Sequence, residues 1–145
     1  MREATPADRA GIRRLLRELH GDGADSTTLP EIHQQARTFV AGDDEIRGLA
    51  VATFVDYGHE PYGVVEELVV DPASRGSGTG SALLAQCNAW LGGLGAQVVF
   101  VSAIDEEAAE FYLQAGFTRC TGPWLWAAPH TGAAAHDEVA AHDEA

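Results

Sequence analysis

The residues best placed to do chemistry in this 145-residue chain lie in one stretch, Val64 to Leu84, which reads VVEELVVDPASRGSGTGSALL. β-Branched and alternating residues up to Val70 predict a strand, which Asp71-Pro72 ends because proline cannot continue a ladder. Arg75-Gly76-Ser77-Gly78-Thr79-Gly80 follows and runs straight into the helical pattern Ser81-Ala82-Leu83-Leu84. A strand, a glycine loop and a helix start in that order aim several backbone N–H groups at one place. The helix dipole makes that place favourable for an anion. Glycine suits it because a Cβ would hold a ligand away from the backbone. The loop is therefore expected to bind a phosphate, against the plainer alternative of a glycine-rich turn with no ligand. A P-loop would need Gly-Lys-Ser/Thr, and the chain contains no lysine. The dinucleotide fingerprint needs a third glycine three places after the second, but Gly78 and Gly80 lead to Leu83, and Gly76 and Gly78 to Ser81.

Other chemical side chains are fewer. Glu66 and Glu67 are neighbours in the expected strand, which predicts that they point to opposite faces. Carboxylates in a central strand imply that one side is wet or polar. Cys87 and Cys120 lack CxxC spacing and read as two reduced thiols. The sequence AHDE occurs twice, at 135–138 and 141–144, but nothing fixes its geometry, and no metal site is predicted.

The elements that must position these groups can be read along the chain. Arg2 to Thr5 could form a very short strand. Thr5-Pro6-Ala7-Asp8 is a helix start, and Ile12, Leu15, Leu16 and Leu19 have amphipathic helical spacing. Gly21 to Pro30 is rich in turn residues, and a short helix is expected over Glu31–Gln35. Thr38–Ala41 and Ile46–Val55 predict a hairpin, and a turn over Asp56–Gly63 leads into the central strand, giving an antiparallel meander. The helix after Gly80 should run to about Leu91 with Leu83, Leu84, Cys87, Trp90 and Leu91 inward. Gln97–Ala103 predicts a strand covered on both faces, parallel to 64–70 by the βαβ rule. Asp105 caps a helix over Glu106–Ala115, and Phe117–Cys120 with Trp124–Ala127 are expected to form a last strand pair.

Length fits one domain, expected over 1–128, with an Ala-, His- and acid-rich disordered tail over 129–145. The net charge is −13, from 22 acidic residues against 9 basic ones, all arginine. That balance makes nucleic acid and anionic membrane poor partners and a cation a good one, although acidity also serves solubility. No apolar run approaches membrane-spanning length, and MREATPADRA lacks the pattern of a secretion signal, so a cytoplasmic protein is expected.

Leu68-Val69-Val70-Asp71-Pro72 followed by Arg75-x-x-Gly-x-Gly80 resembles the acyl-coenzyme-A motif of the GNAT superfamily of N-acyltransferases. Asp105–Phe117, DEEAAEFYLQAGF, is similar to the family's other signature in Ala108, Phe111, Tyr112, Gly116 and Phe117, and the likeness extends over roughly residues 1 to 127. The resemblance implies a GNAT-like α/β (α+β) fold: a mixed, mostly antiparallel sheet with one parallel βαβ pair and about four flanking helices. It implies acetyl-CoA as cofactor, with pantetheine between the two parallel strands beside Leu68, Val69 and Val70. The diphosphate would lie on Arg75, Gly76, Ser77, Gly78, Thr79, Gly80 and Ser81. The family usually has Asn where this chain has Asp105, and a carboxylate can accept but not donate a hydrogen bond.

By the same resemblance Tyr112 is the expected proton donor to the leaving sulfur and Glu66 the expected base. Phe111 and Tyr112 diverge by about 100° on a helix, placing Phe111 in the core and Tyr112 on the cleft. Glu67 could hold the acceptor's cation, and Tyr57, His59 and Tyr62 could touch the acceptor. The implied activity is N-acetyl transfer to a primary amine, with a small cationic molecule as the leading acceptor. Protein lysine or N-terminal acetylation and a non-catalytic acyl-CoA-binding domain are the alternatives. Trp124-Leu125-Trp126 could supply an apolar contact in a homodimer.

Overall fold

The computed structural model describes residues 1–21, 32–123, 125 and 127. Three branched, alternating runs form a meander of β1 (His33–Ala41), β2 (Gly48–Asp56) and β3 (Tyr62–Val70). Helix α2 (Thr79–Gly93) carries the chain back, so that β4 (Val98–Val101) pairs with β3 in parallel. The sheet order is β1-β2-β3-β4, with the first two pairings antiparallel. Helices α1 (Arg9–His20) and α3 (Glu106–Gln114), with single 3-10 turns at Pro6–Asp8 and Pro72–Ser74, complete the regular structure of the described residues. This is the mixed sheet with one parallel pair that the sequence predicts.

Three local expectations fail. Arg2–Thr5 forms no strand; instead Arg2 and the Thr5 amide grip Asp8, with Arg2 Nη1 2.7 Å from the carboxylate and Thr5 N–H donating at 2.8 Å. These contacts, Arg2 foremost, hold the Asp8 carboxyl well below its usual range. The helix expected over Glu31–Gln35 is replaced from His33 by β1, whose register runs on to His33↔Asp56. A five-residue helix cannot offset its nucleation cost, whereas each added hairpin residue extends an existing ladder. Phe117–Cys120 is not a strand, and its expected partner includes Trp124 and Trp126, which lie outside the described residues, as does 129–145.

The core forms where α2 lies on one face of the sheet. Leu83, Leu84, Cys87 and Leu91 of α2 pack with Ala50, Ala52, Phe54 and Val65. Cys87 is buried and Cys120 exposed, and both are free thiols. The approach is closest at Gly63, where an added Cβ would lie 2.6 Å from Leu91 Cδ1 and Cδ2. Gly63→Ala should therefore destabilise the fold by about 1–3 kcal/mol through overpacking. Leu91→Ala alone should cost about 2–5 kcal/mol, and the double variant less than the sum, because the smaller side chain admits the new methyl. Urea unfolding of the four proteins checks this; additive costs would show that the contact is not the cause.

One irregularity in β3 decides where its two carboxylates point. Val51 pairs with Glu67 and Ala52 with Val65, so Glu66 is an extra residue in a β-bulge. Before the bulge Val65 faces α2; after it Leu68 and Val70 do. Glu67 shares the face of its partner Val51, which alternates with the fully buried Ala50 and Ala52 and so points away from α2. Glu66 reaches the same outer face, its Oε1 accepting from Thr53 Oγ1 at 2.6 Å. The expectation of opposite faces is corrected: the bulge breaks the period of two, and both carboxylates lie on one side.

Candidate active site

Pairing between β3 and β4 ends at Val65↔Val101, while β3 continues to Val70. The last five residues of β3 thus keep one edge without a β4 partner, and the two strands bound a gap. A cleft of about 580 Å³ opens there. Leu68, Val69 and Val70 form one wall, Asp105, Glu107, Ala108, Phe111 and Tyr112 the other, and the glycine loop closes the end.

The loop is shaped by its own polar groups. Asp71 Oδ1 accepts from Ala73 N–H at 2.7 Å, and Ser77 Oγ donates to Ser74 O at 2.6 Å while lying 2.9 Å from Thr79 Oγ1. Gly76 and Gly78 have φ of +76° and +84°, in the region that a side chain disfavours. Gly78 is the N-cap of α2, and its carbonyl takes the first helical hydrogen bond, from Ala82 N–H at 3.0 Å. The amides of Thr79, Gly80 and Ser81 therefore have no acceptor within the helix. All three residues line the cleft, with Gly76 and Gly78. Arg75 is the one cation among the lining residues, and its Nε donates to Val70 O at 3.4 Å. Ser77 is not among them; its hydroxyl braces the turn.

Asp105 reaches the cleft but is engaged: its Oδ1 accepts from Ala108 N–H at 2.7 Å and caps α3. Further along the same helix, Tyr112 is buried in the core and also lines the cleft. Its ring meets Phe111 and Phe117 edge-on, at centroid distances of 5.1 and 5.6 Å. Burial raises the phenol above its ordinary pKa, with smaller contributions from Cys87 and Glu67. The hydroxyl is therefore protonated at neutral pH, and it meets no hydrogen-bond partner among the described residues. The expected division between Phe111 and Tyr112 is not exclusive: Phe111 packs against the core and Tyr112 lines the cleft, but Tyr112 is the more buried of the two and Phe111 lines the cleft as well. The cause is α3's position over the gap, where side chains 100° apart can both reach in.

The remaining candidates lie elsewhere. Glu66 and Glu67 sit in the bulge, at the start of the unpaired part of β3. Tyr57, His59 and Tyr62 are half-buried at the far end of β3, eight residues or about 26 Å from Val70. There Tyr62 meets Phe100 edge-on, and His59 stacks on His20 with centroids 3.8 Å apart. None of the three lines the cleft. Thr53, which fixes Glu66, escaped the sequence reading, because the register Thr53↔Val64 that makes the two side chains diagonal neighbours belongs to β2 and β3 together and to neither strand alone.

The cleft suits a long carrier with a diphosphate at one end. Open amides and glycine turns match the anion, and an unpaired strand edge matches an arm bearing amide groups. Among the described residues no group of three His, Cys, Asp or Glu could hold a metal ion, and no helix is long and apolar enough to cross a membrane.

Residues 34–119, more than half of the chain, match the family model described as acetyltransferase (GNAT) domain. An integron cassette protein from the mobile metagenome of Cole Harbour Salt Marsh has a similar structure, at 26% identity over 89% of this chain and 75% of the other, with a TM-score of 0.57. Another integron cassette protein, from the mobile metagenome of V. cholerae, is similar at 17% identity over 86% and 85%, with a TM-score of 0.60. An aminoglycoside acetyltransferase from an uncultured soil metagenomic sample, in complex with sisomicin, shares the fold at 19% identity over 87% and 93%, with a TM-score of 0.56. The matched segment holds the glycine loop, the gap and the capped helix α3, and the chain belongs to the GNAT acetyltransferase family.

Proposed function

We propose that the protein transfers an acetyl group from acetyl-CoA to a primary amine of a small cationic molecule, with both bound at once. The observation that carries this reading is the gap beyond Val65↔Val101, which ends on the open amides of α2 and has the Tyr112 hydroxyl in its wall. Gly76, Gly78, Thr79, Gly80 and Ser81 would hold the diphosphate by backbone N–H groups, with Arg75 adding charge and Ser77 bracing the turn. Leu68, Val69 and Val70 would pair with the pantetheine arm through the free edge of β3. Asp105 would act through the helix it caps. When bound, acetyl-CoA supplies a thioester carbonyl open to attack by an amine.

The chain's own residues have three tasks. The cleft holds the reactants in one geometry, which replaces a bimolecular encounter. A carboxylate of the bulge, Glu66 or Glu67, takes a proton from the acceptor ammonium so that its nitrogen can attack. Tyr112, kept neutral by burial, gives a proton to the departing sulfur. The acidic surface favours a cationic acceptor, and the soil enzyme accommodates sisomicin on the same fold.

Free thiol should appear only when acetyl-CoA and a primary amine are both present. Calorimetric silence with both acetyl-CoA and CoA would remove the reading. Binding without thiol release for any amine would favour a non-catalytic acyl-CoA domain, and release only with peptides would favour protein acetylation.

A further inference from the structure

Resting on the transferase reading, we propose that Thr53 is a positioning residue for the acceptor: its hydroxyl holds Glu66 as a fixed anionic anchor, which leaves Glu67 to receive the proton of the reacting ammonium and selects a diamine. The bulge is the decisive feature. A regular strand would send one of two consecutive carboxylates into the α2 core, whereas the extra residue at 66 puts both on the outer face. The two then differ in their surroundings. Glu66 is tied at 2.6 Å to Thr53, the partner of Val64 and hence its diagonal neighbour across β2 and β3. Glu67 has no hydrogen bond or ion pair among the described residues, and it sits one step further along the unpaired edge, toward the cleft. The two acids are also unequal toward Tyr112: Glu67 is among the groups that raise the phenol, and Glu66 is not.

A carboxylate whose oxygen is held by a hydroxyl keeps one direction and loses little freedom when it meets a cation. An unheld one can turn to take a proton and release it. An acceptor with two ammonium groups uses both, the distal one on Glu66 and the reacting one on Glu67. Each transfer takes two protons from the nitrogen as the carbon–nitrogen bond forms and the carbon–sulfur bond breaks. Glu67 takes the first before attack and passes it to water, and the second replaces the proton that Tyr112 gives to the departing sulfur, so that an amide and a thiol leave the site.

The test compares wild type, Thr53→Val, Thr53→Ser and Glu66→Gln, with 1,4-diaminobutane as acceptor and butylamine as the single-charge control. Affinity for the diamine is read by calorimetry on the protein–CoA complex, and turnover by thiol release. Thr53→Val should weaken diamine binding and raise its KM on the order of tenfold, with kcat, the CoA affinity and the butylamine KM within twofold. Thr53→Ser should restore the wild-type values. Thr53→Val should add little in a Glu66→Gln background, because both remove one unit. Unchanged diamine affinity in Thr53→Val, a loss that serine fails to rescue, or equal loss for butylamine would overturn the proposal while leaving the transferase reading intact. Wild type that binds CoA but releases no thiol with either amine, and binds the diamine no more tightly than butylamine, would overturn it as well. Wild type that binds no CoA would remove both.

Discussion

Replacing Tyr112 by phenylalanine should lower kcat about a hundredfold or more, within the ~10²–10⁴ range expected of a general acid, while the affinity for acetyl-CoA stays within a factor of about two. The two effects separate because the hydroxyl acts on the sulfur only as the thioester breaks, whereas the ring, which phenylalanine keeps, packs between Phe111 and Phe117. Burial comes first among the causes that raise this phenol. A raised value keeps the proton on, so any fall in rate caused by its ionisation should come only above about pH 10, the ordinary range of tyrosine. Saturating kinetics with calorimetry for the carrier checks both halves. Unchanged kcat would take the hydroxyl out of the mechanism.

Gly78→Val should abolish measurable binding of both acetyl-CoA and CoA. Nothing lies within 4 Å of the position of an added Cβ at Gly78, so the cost is conformational. A β-branched residue at φ +84° is a true outlier, and relaxing it rotates the peptide that caps α2. That rotation re-aims the amides of Thr79 and Gly80, on which the proposed diphosphate site depends. The same strain should cost about 1–3 kcal/mol of stability, so Gly63→Ala is the control: it costs as much through the core, leaves the loop alone and should keep CoA binding. Calorimetry with CoA decides the matter, and retained affinity would count against the loop as the anion site.

How far the site is legible in the sequence depends on whether its parts are local. The loop from Arg75 to Ser81 and the cap at Asp105 are contiguous, and each is fixed by glycine, proline and capping chemistry within a few residues. The parallel pairing of β3 with β4 followed from their place as consecutive strands joined by one helical crossover. What could not be read was set by partners distant in the chain. Alternation assigned Glu66 and Glu67 to opposite faces because the slip at Val51/Ala52 is a property of two strands together. For the same reason Thr53 carried no signal. His33–Gln35, a helix on local preference, became strand because Phe54, Val55 and Asp56 stood opposite. Phe111 lies within a recognisable motif, yet its approach to the Gly80 site, with Cζ 3.6 Å from where a Cβ would stand, depends on how α3 leans over the gap.

The scarcity of cations along the cleft has a consequence for how the protein should respond to ionic strength. Among the described residues Arg75 is the only positive side chain on the walls, and Asp105 and Glu107 stand opposite. Attraction to a polyanionic carrier would then come mostly from oriented peptide dipoles at contact distance, which dissolved ions screen poorly. A cationic co-substrate drawn by a surface of charge −13 would instead feel a field that fades within about 8 Å at 0.15 M salt. Raising sodium chloride from roughly 20 to roughly 500 mM should therefore make the amine's KM climb several-fold, while the carrier's Kd, relieved of the same surface's repulsion, holds or falls.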